Sequence, residues 1–226
     1  MKGAASRCDT RNHGRVHWRH QAIYPPQPKL RRAPLACRLV GFPACWLTPL
    51  EGTTLRIVKG KFAGRTLTSP NDFRVRPTAE HVRVALLSMV HDELANARVL
   101  DLFAGTGALG LEAISRGAKS ADFVETRPAS LHALKANVAA LRGMKDCTRI
   151  FKRDALPFAA ALVADSYDIT FVDPPYGSKM LDRVLESWMA NKFSRVIAIE
   201  HAASHELPRP FDKRIIEDSA VSLYRV

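Results

Sequence analysis

Four acids close strand-like runs in this chain: Asp101 after "RVL", Glu125 after "ADFV", Asp154 after "FKR" and Asp173 after "ITFV". Pro174, Pro175 and Tyr176 follow the last of them. Prolines remove amide donors and fix φ, so this strand must end in a stiff, non-helical corner. The corner sets a hydrogen-bond acceptor beside an aromatic ring, a combination suited to gripping something flat. An ordinary loop is the competing reading.

The second feature is "DLFAGTGALG", Asp101 to Gly110. Gly105 and Gly107 allow a tight turn and close backbone approach to a ligand, and a helix N-terminus follows. Gly105, Gly107 and Gly110 satisfy the G-x-G-x-x-G spacing of dinucleotide sites, which by itself is a weak signal. An acid directly before the loop repels a pyrophosphate, whereas it attracts a ligand with a free amino group. Glu125 suits a ribose diol, and Asp154, or the backbone beside it at Ala155, suits an adenine edge. S-adenosylmethionine carries an amino group, a sulfonium, a ribose and an adenine, and fits this pattern better than NAD. The candidate cofactor residues are therefore Asp101, Phe103, Ala104, Gly105, Thr106, Gly107, Glu125, Thr126, Asp154, Ala155 and Asp173. The alternative that the acids are caps and turn residues applies most to Asp154.

The elements that must position these groups can be read from periodicity. "LRIVKGKFAGRTLTSP" interleaves Leu55, Ile57 and Leu67 with basic residues around Gly60 and Gly64, which predicts a β-hairpin with a basic rim. In "RPTAEHVRVALLSMV", Pro77 and Thr78 predict a helix start with Thr78 as N-cap, and Val82, Leu86 and Met89 form one apolar stripe. From Arg98 onward strands and helices alternate. The strands are "RVLDLF", "SADFVE", "TRIFKRD", "YDITFVD" and "RVIAIE"; the helices are "ALGLEAISRG", "PASLHALKANVAALRG" and "KMLDRVLESWMAN". "FDKRIIEDSAVSLYRV" closes the chain as an antiparallel pair. The expected fold is α/β: a Rossmann-like, mainly parallel sheet with helices on both faces and an antiparallel C-terminal strand pair, preceded by a β-hairpin and helix. In such sheets ligands collect outside the carboxyl ends of the strands, where the four acids fall. Asn137, Glu112 and Glu200 are read as structural.

Charge divides the chain unevenly. The formal net charge is +12, yet the first fifty residues hold nine Lys/Arg against one acid, Asp9. The basic and proline-rich residues 1–53 are expected to be a disordered extension; residues 54–95 form a hairpin-helix extension and 96–226 the main domain. A polyanionic partner is suggested mostly by the extension. No apolar run is long and clean enough to span a bilayer. Cys8, Cys37, Cys45 and Cys147 fit neither a zinc site nor a disulfide framework, so no metal and a reducing, cytoplasmic compartment are expected.

"DLFAGTGALGLEA", "FVE" and "FVDPPYG", in that order, resemble class I S-adenosylmethionine-dependent methyltransferases that act on exocyclic amino groups of nucleobases. With "RIVKGKFAGRTL" and "RPTAEHVRVAL" upstream, the chain from about residue 55 onward resembles the bacterial 16S rRNA guanine-N2 methyltransferase family. The resemblance implies methylation of one guanine near the decoding region, position 966 in that family, with 16S rRNA or the small ribosomal subunit as partner and a monomeric enzyme. It implies catalysis by Asp173, Pro174, Pro175 and Tyr176: Asp173 and the Pro174 carbonyl accept from the amine, and Tyr176 stacks on the extruded base. It also implies RNA contacts by Arg56, Lys59, Lys61, Arg65, Arg74, Arg76, Thr78 and Tyr176, for which a solvated basic face is the competing reading. His81, Val84 and Ser88 depart from the family pattern, Phe103 replaces the first loop glycine, and no glycine precedes the last strand. A DNA amino-methylase and a non-catalytic RNA-binding assembly factor are the alternatives. The chain beyond residue 55 leaves no room for a sizeable DNA-recognition domain, and an intact corner disfavours the second.

Overall fold

A computed structural model describes residues 54–70, 79–175, 177 and 179–226. The extension 1–53, and with it three of the cysteines, lies outside the described residues, as do Arg74, Arg76, Thr78 and Tyr176. The elements run α1 (Glu80–Met89), β1 (Arg98–Asp101), α2 (Ala108–Ser115), β2 (Ser120–Val124), α3 (Pro128–Ala140), β3 (Thr148–Phe151), α4 (Ala155–Ala160), β4 (Tyr167–Val172), α5 (Met180–Asn191), β5 (Ser194–Ala202), β6 (Asp212–Ile216) and β7 (Ser219–Arg225).

One seven-stranded sheet has the order β3-β2-β1-β4-β5-β7-β6. All pairs from β3 to β5 are parallel, and β7 pairs antiparallel with both β5 and β6. The order reverses between β1 and β4, because the chain builds outward from β1 to β3 and then crosses to β4 on the other side. That reversal opens a crevice at the strands' carboxyl ends.

Side chains alternate across a strand, so each strand feeds two cores. Val99, Phe123, Ile169, Phe171, Ala198 and Leu223 join the layer packed by the hairpin, α1, α2 and α3. Leu100, Val124, Val172, Ile197, Ile199 and Tyr224 join the layer under α4 and α5, with Trp188 and Phe193. Asp101, Glu125 and Asp173 each come directly after a residue of the second layer. The same alternation assigns Asp101, the last residue of β1, to the first face; Glu125 and Asp173 directly follow the last residues of β2 and β4.

At the N-terminal end, pairing across the hairpin is short: one bridge, Arg56 to Thr66, plus backbone bonds such as Ile57 N–H to Arg65 C=O at 3.0 Å. Gly60 and Gly64 take φ of +89° and +82° at its turn. Ile57, Leu67, Val82, Leu86 and Met89 are buried in the first-face core, as the apolar stripe required. Two details differ from the sequence reading. The helix begins at Glu80 with Ala79 at the N-cap position, and among the described residues no side chain caps it; Thr78, the expected cap, lies outside them. A short helix, α4, also lies between the third and fourth strands, where none was expected; Asp154 caps it by accepting from Leu156 N–H at 2.9 Å.

Two family departures find partners on the C-terminal hairpin. His81 lies 3.7 Å from Glu217, and Ser88 Oγ accepts from Arg214 at 3.3 Å. They lie where α1 meets β6 and β7.

Candidate active site at the carboxyl rim of the sheet

The loop after β1 is held from several sides. Asp101 ends β1 at 2% exposure, and its Oδ2 accepts from Gly110 N–H at 3.2 Å. Gly110 must be glycine, since a Cβ there would stand 2.4 Å from the Phe123 ring. Gly107 takes φ of +79°, and a Cβ on it would stand 2.3 Å from Leu134. Glu125, also buried, reaches under the loop. Its Oε2 accepts from Gly105 N–H at 2.9 Å, and its Oε1 from the Thr126 and Arg127 amides at 2.8 Å each. The exposed Arg127 guanidinium completes the set at 3.2 and 3.3 Å.

Electrostatics ties the acids into one site. Burial pushes the Asp101 carboxyl up from 3.8 to about 7; the charges of Asp173 and Glu125 add to the rise, while the Gly110 and Phe103 amides oppose it. The Asp101 carboxyl at the end of β1 thus feels the charges of Glu125, just after β2, and Asp173, just after β4. Such a site favours a cation, which relieves both the burial cost and the mutual repulsion.

Pro174 is buried and Pro175 exposed, with Asp173 half-buried before them. Ala155 is buried at the first turn of α4. Beside it a cleft of about 430 Å³ is lined by Arg153, Asp154, Pro157, Phe158, Ala161 and Leu162. Phe158 packs its ring 5.1 Å from that of Phe151.

The basic residues do not all gather at this rim. Arg56, Lys59, Lys61 and Arg65 are exposed, but Arg56 is paired with Glu80 at 3.3 Å. The hairpin tip docks on the last residue of α2: Lys61 N–H donates to Ser115 C=O at 2.7 Å, Phe62 N–H to Ser115 Oγ at 2.9 Å, and Ser115 Oγ to Lys59 C=O at 2.7 Å. A Cβ on Gly60 would stand 1.9 Å from the Ser115 carbonyl oxygen. Lys59 and Lys61 therefore sit at the opposite end of α2 from the glycine loop, about 12 Å along an eight-residue helix. Arg83 and Glu112, buried at 1% and 0% exposure, pair at 2.9 Å and join α1 to α2. Arg116 pairs with the same carboxylate.

Sequence reasoning missed Arg127, and it missed that Glu125 supports the loop backbone; the adjacent sequence "ETRP" gave no sign of a reach back across strands. It also missed that Asn137 Nδ2, on α3, donates to Thr106 C=O in the loop at 2.9 Å, since only packing of α3 brings that amide there. Among the described residues no group of three His, Cys, Asp or Glu could hold a metal, and no helix is long and apolar enough to cross a membrane.

Strand order, the reversal between β1 and β4, the glycine loop and the acids beside it define a Rossmann-like methyltransferase fold of class I. The family described as conserved hypothetical protein 95 matches residues 55–219. Ribosomal RNA small subunit methyltransferase D of Escherichia coli K12 is 33% identical, over 68% of this chain and 78% of that protein. The solved structure of Escherichia coli yhhF is 30% identical with a TM-score of 0.67, covering 76% of this chain and 97% of that one. An RNA methyltransferase from Salinibacter ruber, in complex with S-adenosyl-L-homocysteine, shares the fold at 14% identity and a TM-score of 0.51, over 66% and 93% of the two chains. The chain belongs to the conserved hypothetical protein 95 family of small-subunit ribosomal RNA methyltransferases.

Proposed function

We propose that this protein methylates the exocyclic N2 amine of a guanine in 16S ribosomal RNA. The methyl donor is S-adenosylmethionine, which supplies an electrophilic methyl group on a sulfonium. One observation supports this most: Asp101 and Glu125, at the ends of neighbouring parallel strands, both hold the glycine loop, accepting from Gly110 N–H at 3.2 Å and Gly105 N–H at 2.9 Å, and Asp173 follows the strand on the other side of β1.

The residues at the rim fit this donor. Asp101, held at about 7 by burial, gains a counter-charge when an ammonium group docks beside it. Glu125 receives ribose hydroxyls in place of the Arg127 guanidinium, which is 44% exposed. Asp154 and the Ala155 backbone meet the adenine edge beside Thr126. Phe103, Ala104, Gly105, Thr106 and Gly107 wrap the amino-acid end.

A guanine N2 amine is a poor nucleophile because its lone pair is delocalised into the ring. Asp173 accepts from one N–H and the Pro174 carbonyl from the other, which turns the lone pair toward the reacting carbon. Pro174 and Pro175 keep both acceptors fixed, so little reorganisation is needed as charge develops. Tyr176 stacks on the extruded base; such stacking is worth roughly 1–3 kcal/mol, comparable with the cost of unstacking. The nitrogen becomes strongly acidic after transfer, and Asp173 or water takes its proton. Arg65, Arg76, Lys59 and Lys61 contact phosphates of a folded RNA. The enzyme acts as a cytoplasmic monomer.

Transfer of tritiated methyl groups to small subunits, naked 16S rRNA and DNA, followed by nucleoside analysis, tests the assignment. N2-methylguanosine from a ribosomal substrate is the expected product. N6-methyladenine from DNA, or cofactor binding with no turnover on any substrate, overturns it.

A further inference from the structure

Asn137, on α3, is 1% exposed and makes three hydrogen bonds to two separate segments. Its Oδ1 accepts from Thr68 N–H at 2.7 Å, while its Nδ2 donates to Thr68 C=O at 3.0 Å and to Thr106 C=O at 2.9 Å. With an N–H facing the oxygen and two carbonyls facing the nitrogen, the amide has only one workable orientation. Thr68 follows Leu67, where the hairpin ends. Thr106 stands between Gly105 and Gly107 in the loop after β1. One NH₂ group therefore holds the root of the basic hairpin and the middle of the glycine loop together.

The loop has little freedom to move without α3. Leu134, one turn before Asn137, already fills the space beside Gly107, where a Cβ would come within 2.3 Å of it. A ligand that fixes Thr106 must in consequence restrict Thr68, and an RNA that fixes the hairpin must restrict the loop.

We infer that Asn137 is a positioning residue that joins the cofactor loop to the root of the RNA-binding hairpin, so that cofactor and RNA bind with positive coupling. The inference rests on the function proposed above. Coupling between two sites is reciprocal in binding free energy, so each ligand must tighten the other by one common factor. Ordering shared by both ligands is sufficient to produce it without a large structural change.

The test uses the full chain, S-adenosylhomocysteine as a non-reacting probe and a full-length 16S rRNA transcript. S-adenosylhomocysteine is expected to tighten RNA binding by about five- to 150-fold, and RNA to tighten S-adenosylhomocysteine by the same factor. Asn137→Asp keeps the acceptor for Thr68 N–H and removes both donated bonds, and the factor should fall toward one. A lowered melting temperature with the factor intact means that Asn137 only supports the fold, and overturns the inference. Because a buried carboxylate facing two carbonyls weakens folding, hydrogen exchange on the unaltered protein gives a second measure. S-adenosylhomocysteine should slow exchange at the Thr68 amide together with residues 104–107; protection confined to the loop overturns the inference. A protein that does not bind S-adenosylhomocysteine overturns the proposed function as well, whereas binding without coupling removes this inference alone.

Discussion

The two faces of the sheet combine polar joints and apolar packing in different proportions. The first face, under the hairpin and α1 to α3, is laced with buried polar joints: Arg83–Glu112, Ser115 with the hairpin tip, Asn137 with two backbones, Glu125 with the loop. The second, under α4 and α5, is closed mainly by large apolar side chains, with Trp188, Phe193, Leu185 and Val184 all at 2% exposure or less, beside two buried polar joints, Tyr167 Oη donating to Asp122 at 2.7 Å and His201 Nε2 with Ser222 Oγ at 2.9 Å. Hydrogen bonds have direction and fix positions, whereas apolar burial is non-directional and mainly supplies stability. Of the rim acids, Asp101 lies on the laced face by alternation, and Glu125 bonds the loop that follows Asp101. Placement of chemistry thus weighs more on the first face and supply of stability more on the second, and substitutions on each should fail in different ways.

The largest effect is expected on the second face. Trp188→Ala removes the biggest fully buried side chain there and its Nε1 bonds to Ser194 at 2.8 and 3.1 Å. It should cost about 3–5 kcal/mol in denaturant unfolding, with kcat per folded molecule unchanged. A matching loss of kcat in the folded fraction would erase the division drawn between the faces. Asp173→Ala should do the reverse. It should lower kcat by about 10²–10³ while unfolding stays near its original value and S-adenosylmethionine still binds. An unchanged turnover rate would remove Asp173 from the chemistry.

A smaller effect concerns pH. The Asp101 carboxyl titrates at about 7 in the folded chain against 3.8 ordinarily. The folded state therefore holds the proton more tightly, so this group's contribution to stability is full below pH 4 and is lost as pH rises through 7. Docking an ammonium group beside it needs the ionised form. Affinity for S-adenosylmethionine should then weaken by about tenfold per pH unit below 7 and level off above it. Asp101→Asn should flatten that profile, bind the cofactor weakly at every pH and be more stable than the original at pH 8. A profile that keeps its slope in the variant assigns the titration to another group.

What was legible in the sequence follows the same division. Strands ended by acids stood out because an apolar run followed by a carboxylate is a local signal. α4 did not, because six residues containing Pro157 are too few to show a 3.6-residue period. The acids at the rim could be located from strand ends alone, but their partners could not. Glu125 meets Gly105 across twenty positions, and Asn137 meets Thr68 across sixty-nine; such pairings exist only once the layers have packed. The basic residues of the hairpin read as one set, yet docking on Ser115 carries Lys59 and Lys61 away from the rim. Charge is visible in a sequence, while its direction is fixed by the turn that carries it.

The smallest effect lies where α1 meets the C-terminal hairpin. Ile216 and Ser219 are paired in register, leaving Glu217 and Asp218 as a two-residue turn. Glu217 takes φ of +54°, a left-handed conformation that an L side chain adopts at a cost. The sequence lacks a glycine here, and His81, 3.7 Å from Glu217, is the opposing feature. Both side chains are well exposed, at 54% and 80%, so their ion pair is a weak contributor. Relief of the backbone should therefore win. Glu217→Gly, and Glu217→Asn with less unfolded-state entropy, should each stabilise by about 0.5–1 kcal/mol, raising Tm by roughly 1–4 °C. Turnover should not change, because the turn touches none of the rim residues. A lower Tm in both variants would show that the contact with His81 outweighs the strain, and would add one more polar joint to the laced face.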